Sequence, residues 1–199
     1  MASKIFKWGI TAACLAFAAP VHAGWKLVPK ANPVTLGSMK ITPTTDWNRA
    51  SAKPGKQGAA WTHDGFELNE LNIFAAVPSG QSIYRERDAK RNPMPKFSGT
   101  MFLLDLADLF ERSFRASRDI TEFAIEETTP AKLGGQPAVH IRYVYTLPND
   151  ELLRKGEARL SVVKEALYSI NFQAPALHYF DAGIGEARAI MDSASLSGK

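Results

Sequence analysis

Cysteine is almost absent from this chain of 199 residues, since Cys14 is the only one. One thiol excludes a disulfide within the chain, so the core alone must hold the fold together. The sequence also lacks an uncharged apolar run of the roughly 20 residues that a membrane-spanning helix requires. Basic and acidic residues are nearly balanced, at 24 against 20. This balance does not favour a nucleic-acid-binding protein.

Metal-binding and hydrolase motifs are missing as well. The sequence contains neither His-x-His nor His-Glu-x-x-His, which would place two metal ligands together, and no Gly-x-Ser-x-Gly turn for a nucleophilic serine. We therefore expect no metal, no cofactor and no catalytic residues. One enzymatic alternative is a hydrolase-type site in which His63, Asp64 and His140 converge, with Glu67 or Asn69 as a further partner.

The amino terminus has the pattern of an export signal. Two lysines precede a mostly apolar run at residues 8–19. In the following Val21-His22-Ala23, small residues occupy the two positions that a signal peptidase recognises. We predict a signal peptide over residues 1–23 with cleavage after Ala23, and a periplasmic or secreted product without a transmembrane segment. The alternative is a protein anchored to the membrane by a lipid on Cys14.

Alternating apolar residues predict three successive strands between residues 139 and 174. The apolar positions are Val139, Ile141, Tyr143 and Tyr145 in the first strand, Gly156, Ala158, Leu160 and Val162 in the second, and Tyr168, Ile170, Phe172 and Ala174 in the third. Turn-forming residues at 148–150 and a break at 164–166 separate the strands, which favours an antiparallel meander. We expect the three apolar sets to share one face, which the rest of the chain must cover.

The remaining elements complete one α+β domain over residues 24–199. Further strands are predicted at 34–41, 59–61, 68–77 and 121–128, with a short one starting at Trp47. Apolar residues at helical spacing predict two amphipathic helices: one passes through Leu103, Leu106, Phe110 and Phe114 with Thr100 as its cap, and one runs from Tyr179 to Leu196. We expect an antiparallel sheet of six to eight strands with two helices packed on it.

The segment between Pro78 and Thr100 shows no periodicity. A connection this long inside a compact domain is uncommon unless it is functional or mobile. Its cations, bracketed by two aromatic residues, are the candidate partner-binding residues: Tyr84, Arg85, Arg87, Lys90, Arg91, Lys96 and Phe97. Arginine can hold a phosphate or carboxylate through two parallel hydrogen bonds. We predict contact with an anionic envelope surface or an acidic partner, and the alternative is a solvated loop whose charges aid solubility.

Two groups of residues carry a resemblance to known families. Leu133-Gly134-Gly135-Gln136-Pro137-Ala138, a long strand ending at Asp150, Leu167-Tyr168 and a last helix closing near Ser193 resemble the carboxy-terminal half of PsbP-like proteins. Trp61-Thr62-His63-Asp64-Gly65, Leu71 and Pro95-Lys96-Phe97 before Met101 are similar to uncharacterised exported proteins of proteobacteria. The PsbP resemblance implies an α/β/α sandwich around an antiparallel sheet, serving as an assembly factor, a stabilising factor or a binding module.

The leading hypothesis is a non-enzymatic periplasmic protein that binds or stabilises a partner in the cell envelope. It would use the long loop or the polar end of the sheet. The second hypothesis is a small-molecule binding domain, with Trp61, Tyr143 and Tyr145 near a cleft between helix and sheet. The sequence sets neither the oligomeric state nor the identity of the partner.

Overall fold

The computed structural model of the chain describes residues 24–197. The predicted signal peptide and Cys14 lie outside these residues. In chain order the elements are β1 (Trp25–Val28), β2 (Val34–Leu36), β3 (Met39–Ile41), β4 (Trp47–Ala50), β5 (Gly58–Thr62), β6 (Glu70–Pro78), α1 (Asp105–Arg118), β7 (Phe123–Leu133), β8 (Gln136–Leu147), β9 (Asp150–Val163), β10 (Ala166–Pro175), α2 (Tyr179–Ser193) and β11 (Ser195–Leu196).

Eight of the strands form one antiparallel sheet in the order β1-β4-β5-β6-β10-β9-β8-β7. The predicted meander is confirmed as β8, β9 and β10, and it lies beside β6 because β10 pairs with both β9 and β6. Three short strands form a second sheet in the order β11-β3-β2. The expectation of a sheet of six to eight strands with two helices is therefore confirmed at its upper limit.

Both faces of the large sheet are covered, so the expectation that the meander has a single apolar face was wrong. The helix α2 and the small sheet cover one face, over Tyr168, Ile170 and Phe172 of β10. The helix α1 and the segment before it cover the other face, over Ile141 and Tyr143 of β8. The reason is register: Leu160 of β9 pairs with Ser169 of β10, which puts the apolar positions of β10 on the face opposite to those of β8 and β9.

Three strand assignments differ from the sequence prediction. The predicted strand 34–41 is two short strands, β2 and β3, because the chain turns at Gly37, whose φ of +56° suits glycine. The strand β7 continues through Pro130 to Leu133, which an edge strand permits because its outer side needs no N–H donor. The strand β1 was not predicted, since three of its four residues are exposed and show no alternation.

The helices also differ at their ends. The helix α1 begins after Leu104 without a side-chain cap, so Thr100 is not its cap, and Asp105 accepts a hydrogen bond from the backbone N–H of Phe102 at 2.9 Å. The helix α2 ends at Ser193 rather than Leu196, because the following residues pair with β3. The apolar faces of both helices are buried as predicted.

Candidate functional site

The long segment, residues 79–104 between β6 and α1, is closed at its base by backbone hydrogen bonds. The N–H of Gly80 donates to the carbonyl of Phe97 at 2.8 Å, and the N–H of Phe97 donates to the carbonyl of Gln81 at 2.9 Å. Tyr84 and Phe97, only 3% and 1% exposed, pack in the core under α1. The two aromatic residues thus anchor the segment, whereas its five cations are exposed.

A cleft of about 640 Å³ lies where this segment meets the end of α1 and the end of the sheet. Among the candidate cations, Arg85 and Arg87 line it. Three further cations join them: Lys53 from the loop between β4 and β5, Arg118 from the last turn of α1, and Arg154 from β9. We call these five residues and the space between them the cationic cleft.

One hydrogen bond brings the two loops of the cleft together. The backbone N–H of Arg85 donates to the carbonyl of Pro54 at 2.7 Å, which holds Arg85 next to the segment that carries Lys53. Gly55 makes this approach possible, because a Cβ there would lie 2.1 Å from the carbonyl oxygen of Ile83. The two loops are therefore in direct backbone contact, and their cations share one side of the cleft.

The floor of the cleft is a hydrogen-bonded polar network. Arg118 donates to Glu70 at 2.8 Å, and Gln173 donates to the same carboxylate at 2.5 Å. Behind Gln173, Asn171 donates to it at 3.1 Å and accepts a hydrogen bond from the hydroxyl of Tyr143 at 2.7 Å. Polar side chains of β10 thus extend from the cleft into the core below α1.

Two tyrosines line the cleft in their neutral form. Burial raises the pKa of Tyr145 to about 12, although the nearby Arg118 acts in the opposite direction. Burial also raises the pKa of Tyr84, whose hydroxyl lies near the guanidinium of Arg118 but has no hydrogen-bond partner among residues 24–197. A buried hydroxyl without a partner is uncommon, and this one lies at the boundary of the cleft.

Cations outnumber acids in the cleft, and several of the cations have no counter-ion. Arg118 pairs with Glu70, and Arg154 pairs with Asp150 at 2.8 Å. Within the described part of the chain, Lys53, Arg85 and Arg87 form no ion pair. The acids that line the cleft are Glu67 and Glu70. The site therefore has a positive potential and three cations free to bind an anion.

The other predicted cations lie elsewhere. Lys96 lines a neighbouring depression together with Lys56 and Arg85. Lys90 and Arg91 are exposed outside the cleft, and Arg91 lies 3.9 Å from Asp88. The structure thus separates the basic residues of the long segment into a pair in the cleft, Arg85 and Arg87, and a pair outside it, Lys90 and Arg91.

The three residues of the enzymatic alternative do not converge. The Nε2 atom of His63 lies 3.3 Å from Glu186 of α2, and Asp64 accepts a hydrogen bond from Asn69. His140 is in β8, four strands away from β5, which precedes His63, with β6, β10 and β9 between them. At about 4.8 Å between neighbouring strands, the separation is roughly 19 Å. That distance is far beyond the reach of a hydrogen bond.

His140 belongs instead to a partly buried hydrogen-bonded cluster beneath α2. Glu157 of β9, only 1% exposed, accepts hydrogen bonds from Arg188 at 2.9 Å and 2.5 Å and lies 3.2 Å from His140. Burial acts to raise the pKa of Glu157, but the hydrogen bonds from His140 and Arg188 outweigh burial and lower the pKa to about 2. The side chains of this cluster hydrogen-bond to one another and hold α2 against the sheet.

The three aromatic residues of the small-molecule hypothesis are also separated. Trp61 lies on the α2 side of the sheet next to Trp47, whereas Tyr143 and Tyr145 lie on the α1 side. Tyr145 lines the cationic cleft, but Tyr143 is behind it in the core. In the described residues no group of three His, Cys, Asp or Glu side chains is arranged to hold a metal ion. Neither helix of residues 24–197 is long and apolar enough to cross a membrane.

Comparison with known proteins supports the fold. No protein-family model and no curated protein sequence matches the chain. Cyanobacterial PsbP (CyanoP) from Synechocystis sp. PCC 6803 is similar in structure, with a TM-score of 0.53 and 10% identity over 94% of this chain and 98% of that chain. A protein from Bacteroides thetaiotaomicron is similar with a TM-score of 0.50 and 9% identity over 86% of this chain, which spans 49% of that protein. The chain therefore has a PsbP-like fold dominated by its antiparallel sheet.

Sequence reasoning found two of the five cleft cations. It missed Lys53, Arg118 and Arg154, which come from three other segments. Arg118 has the sequence signal of a helix-ending cation, and Arg154 follows a predicted turn, but neither pattern indicates a shared site. The tertiary fold brings these residues together at the end of the sheet.

Proposed function

We propose that the protein is a non-enzymatic binding protein of the cell envelope that holds an anionic partner in the cationic cleft. The observation that carries this proposal is the convergence of five cations from four separate segments. Three of these cations, Lys53, Arg85 and Arg87, have no counter-ion among residues 24–197. Charged residues on a protein surface are normally of mixed sign and solvated. A concentration of positive charges in a concave site therefore favours an anionic ligand.

The chemistry of the cleft suits phosphate and carboxylate groups. Guanidinium groups bind either anion through paired hydrogen bonds, and the neutral hydroxyl of Tyr145 is a further donor. Because Arg118 already has Glu70 as a counter-ion, the ligand would first meet the free cations at the rim. His63, Asp64 and His140, the three residues of the enzymatic alternative, are engaged in structural contacts, which supports binding rather than turnover.

Matched double variants test this proposal. Arg85→Ser with Arg87→Ser removes two cations from the cleft, whereas Lys90→Ser with Arg91→Ser removes two cations of the same segment outside it. Calorimetric titration with tripolyphosphate should show roughly a tenfold loss of affinity for the first variant and less than a twofold loss for the second. Equal losses, or no tripolyphosphate binding by the unchanged protein, would reject the cleft as an anion site.

The envelope role needs a separate measurement in cells. A photo-reactive amino acid at position 87 should crosslink the protein to an envelope component, and the same group at position 90 should capture much less of it. Capture of an acidic envelope protein or an anionic envelope lipid supports the role. Capture of cytoplasmic components alone contradicts it.

A small anionic molecule is the second candidate for the occupant, favoured by the volume of the cleft. About 640 Å³ lies within the range of small-molecule sites, roughly 300–1,000 Å³. Native mass spectrometry of protein isolated from cells would show a defined added mass that disappears in the Arg85→Ser/Arg87→Ser variant. A spectrum with the mass of the protein alone would count against this candidate.

A further inference from the structure

Large apolar side chains are exposed directly beside the cationic cleft. Phe66, which is 38% exposed, lines the cleft, and its ring centre is 5.3 Å from that of Trp25. Trp25 and Leu27 of β1 are 52% and 56% exposed. An exposed tryptophan and phenylalanine in contact, with leucine next to them, form a continuous apolar surface rather than scattered single residues. We call these three residues the apolar rim.

The apolar rim and the cleft are on the same face of the sheet. Val28 of β1 packs in the core on the α2 side. Successive residues of a strand point to opposite faces, and Leu27 and Trp25 are one and three residues from Val28, so both point toward the α1 side. Trp25 pairs with Ala50 at the end of β4, three residues before Lys53. The apolar rim therefore continues into the loop that carries one of the free cations.

We infer that this face binds the surface of an anionic phospholipid bilayer, an inference that rests on the proposed anion-binding function of the cleft. Lys53, Arg85 and Arg87 would contact lipid phosphates, and the apolar rim would enter the interfacial layer. Tryptophan is favoured at the membrane–water interface because its ring is apolar and its N–H is polar. Each basic residue held near an anionic leaflet strengthens attachment, and buried apolar area adds to it.

The combination of free cations and exposed apolar side chains fits a bilayer better than a soluble anion. A free phosphate or a small acid would use the cations and would leave Trp25, Leu27 and Phe66 exposed to water. A lipid surface satisfies both groups at once, since its phosphates and its acyl chains lie next to each other. Glu67, which is exposed at the cleft, would oppose this contact, so Glu67→Gln should strengthen it.

Vesicle sedimentation with two matched variants tests the inference. The vesicles contain phosphatidylcholine alone or with about one third phosphatidylglycerol, which gives the leaflet its negative potential. Trp25→Ser with Leu27→Ser should lower partitioning onto the anionic vesicles roughly tenfold and leave the affinity for tripolyphosphate unchanged. The control is Phe102→Ser with Leu104→Ser, which removes side chains that are 78% and 74% exposed at the opposite end of α1 from Arg118.

Tryptophan fluorescence gives a second readout. Protein produced without residues 1–23, and so without Trp8, keeps Trp25, Trp47 and Trp61. Trp47 and Trp61 are fully buried, so a blue shift on addition of anionic vesicles should come from Trp25 and should be lost in Trp25→Phe. Binding to tripolyphosphate without binding to anionic vesicles would overturn this inference and leave the anion site intact. A protein that binds neither tripolyphosphate nor anionic vesicles would reject both the anion site and the bilayer inference. Vesicle binding that is independent of phosphatidylglycerol, or that falls equally in the control, would also overturn it.

Discussion

Arg118 at the end of α1 and Glu70 at the start of β6 form an ion pair of 2.8 Å at the floor of the cationic cleft. Both side chains are 17% exposed, and the guanidinium also lies 4.3 Å from the ring centre of Phe114. This pair joins α1 to the sheet and neutralises the innermost cation of the cleft. Its removal should therefore change both the stability of the fold and the electrostatics of the site.

Glu70→Gln keeps the shape of the side chain and removes its charge. We expect a loss of about 2–3 kcal/mol in the free energy of unfolding, because a partly buried guanidinium would lose its counter-ion. The affinity for tripolyphosphate should rise several-fold, since the ligand would become that counter-ion. Thermal unfolding with and without tripolyphosphate measures both effects. Asp108→Asn, at the more exposed Arg112 pair, is the control and should change stability by less than about 1 kcal/mol.

The ionisation of Glu157 should make the free energy of unfolding depend on pH in the acid range. Its pKa is about 2 in the folded protein against an ordinary value of 4.5, so its ion pair contributes stability above about pH 5 and loses it as the pH falls toward 2. Glu157→Gln should lower the free energy of unfolding at pH 7 by about 1–2 kcal/mol, a value reduced for the solvent exposure of Arg188. Urea unfolding between pH 7 and 2.5 should show the difference between the two proteins shrinking steadily as the pH falls below about 5. A constant difference at every pH would contradict the assigned ionisation.

Gly156→Ala should disrupt the contact between β9 and β8. A Cβ at this position would lie 2.1 Å from Cζ of Tyr143, and moving that ring would break its 2.7 Å hydrogen bond to Asn171. We expect a destabilisation of about 2–4 kcal/mol by chemical denaturation, from overpacking and the lost hydrogen bond together. Gly185→Ala is the matched substitution on the exposed side of α2, where the Cβ meets nothing within 4 Å. It should stabilise by about 0.5–1 kcal/mol, and similar effects of the two changes would refute the packing argument.

Glu186 holds α2 against the turn before β4. One of its carboxylate oxygens accepts hydrogen bonds from the indole N–H of Trp47 and the backbone N–H of Thr45, both at 2.9 Å. Glu186→Ala should cost about 2–3 kcal/mol because both donors would lose their acceptor. Glu186→Gln keeps an acceptor oxygen and should cost less than half of that amount. Urea unfolding measures the free energy of unfolding of both variants. A glutamine variant as unstable as the alanine variant would show that the negative charge of Glu186, and not its role as a hydrogen-bond acceptor, stabilises the fold.

The sequence predicted the strands of the meander but not which face each one presents. Alternation places Tyr168, Ile170 and Phe172 on one side of β10, and this is confirmed. Which side faces α1 depends on the turn after Val163, since a shift of one residue in the pairing would reverse every side chain of the strand. No periodicity within a single strand contains that information.

The cleft was only partly predictable for a related reason. Arg85 and Arg87 stood out because they lie in a long aperiodic segment, whereas Arg154 looked like an ordinary strand residue. Tyr84 and Phe97 were expected beside the charges, and Tyr84 does line the cleft. Both rings are nevertheless buried against α1, because burial of their apolar surface gains more free energy than exposure. The site depends on contacts between segments far apart in the chain, and a single sequence does not show such contacts.

The unequal faces of β10 have a consequence for engineering. Its α2 side is apolar, whereas Ser169, Asn171 and Gln173 on its α1 side lead toward the cleft. Substitutions that tighten packing around Phe172 and Ile190 should thus raise the melting temperature while anion affinity stays the same. Thermostability and the proposed anion binding should therefore be open to independent optimisation in this scaffold, without the usual trade-off between stability and activity.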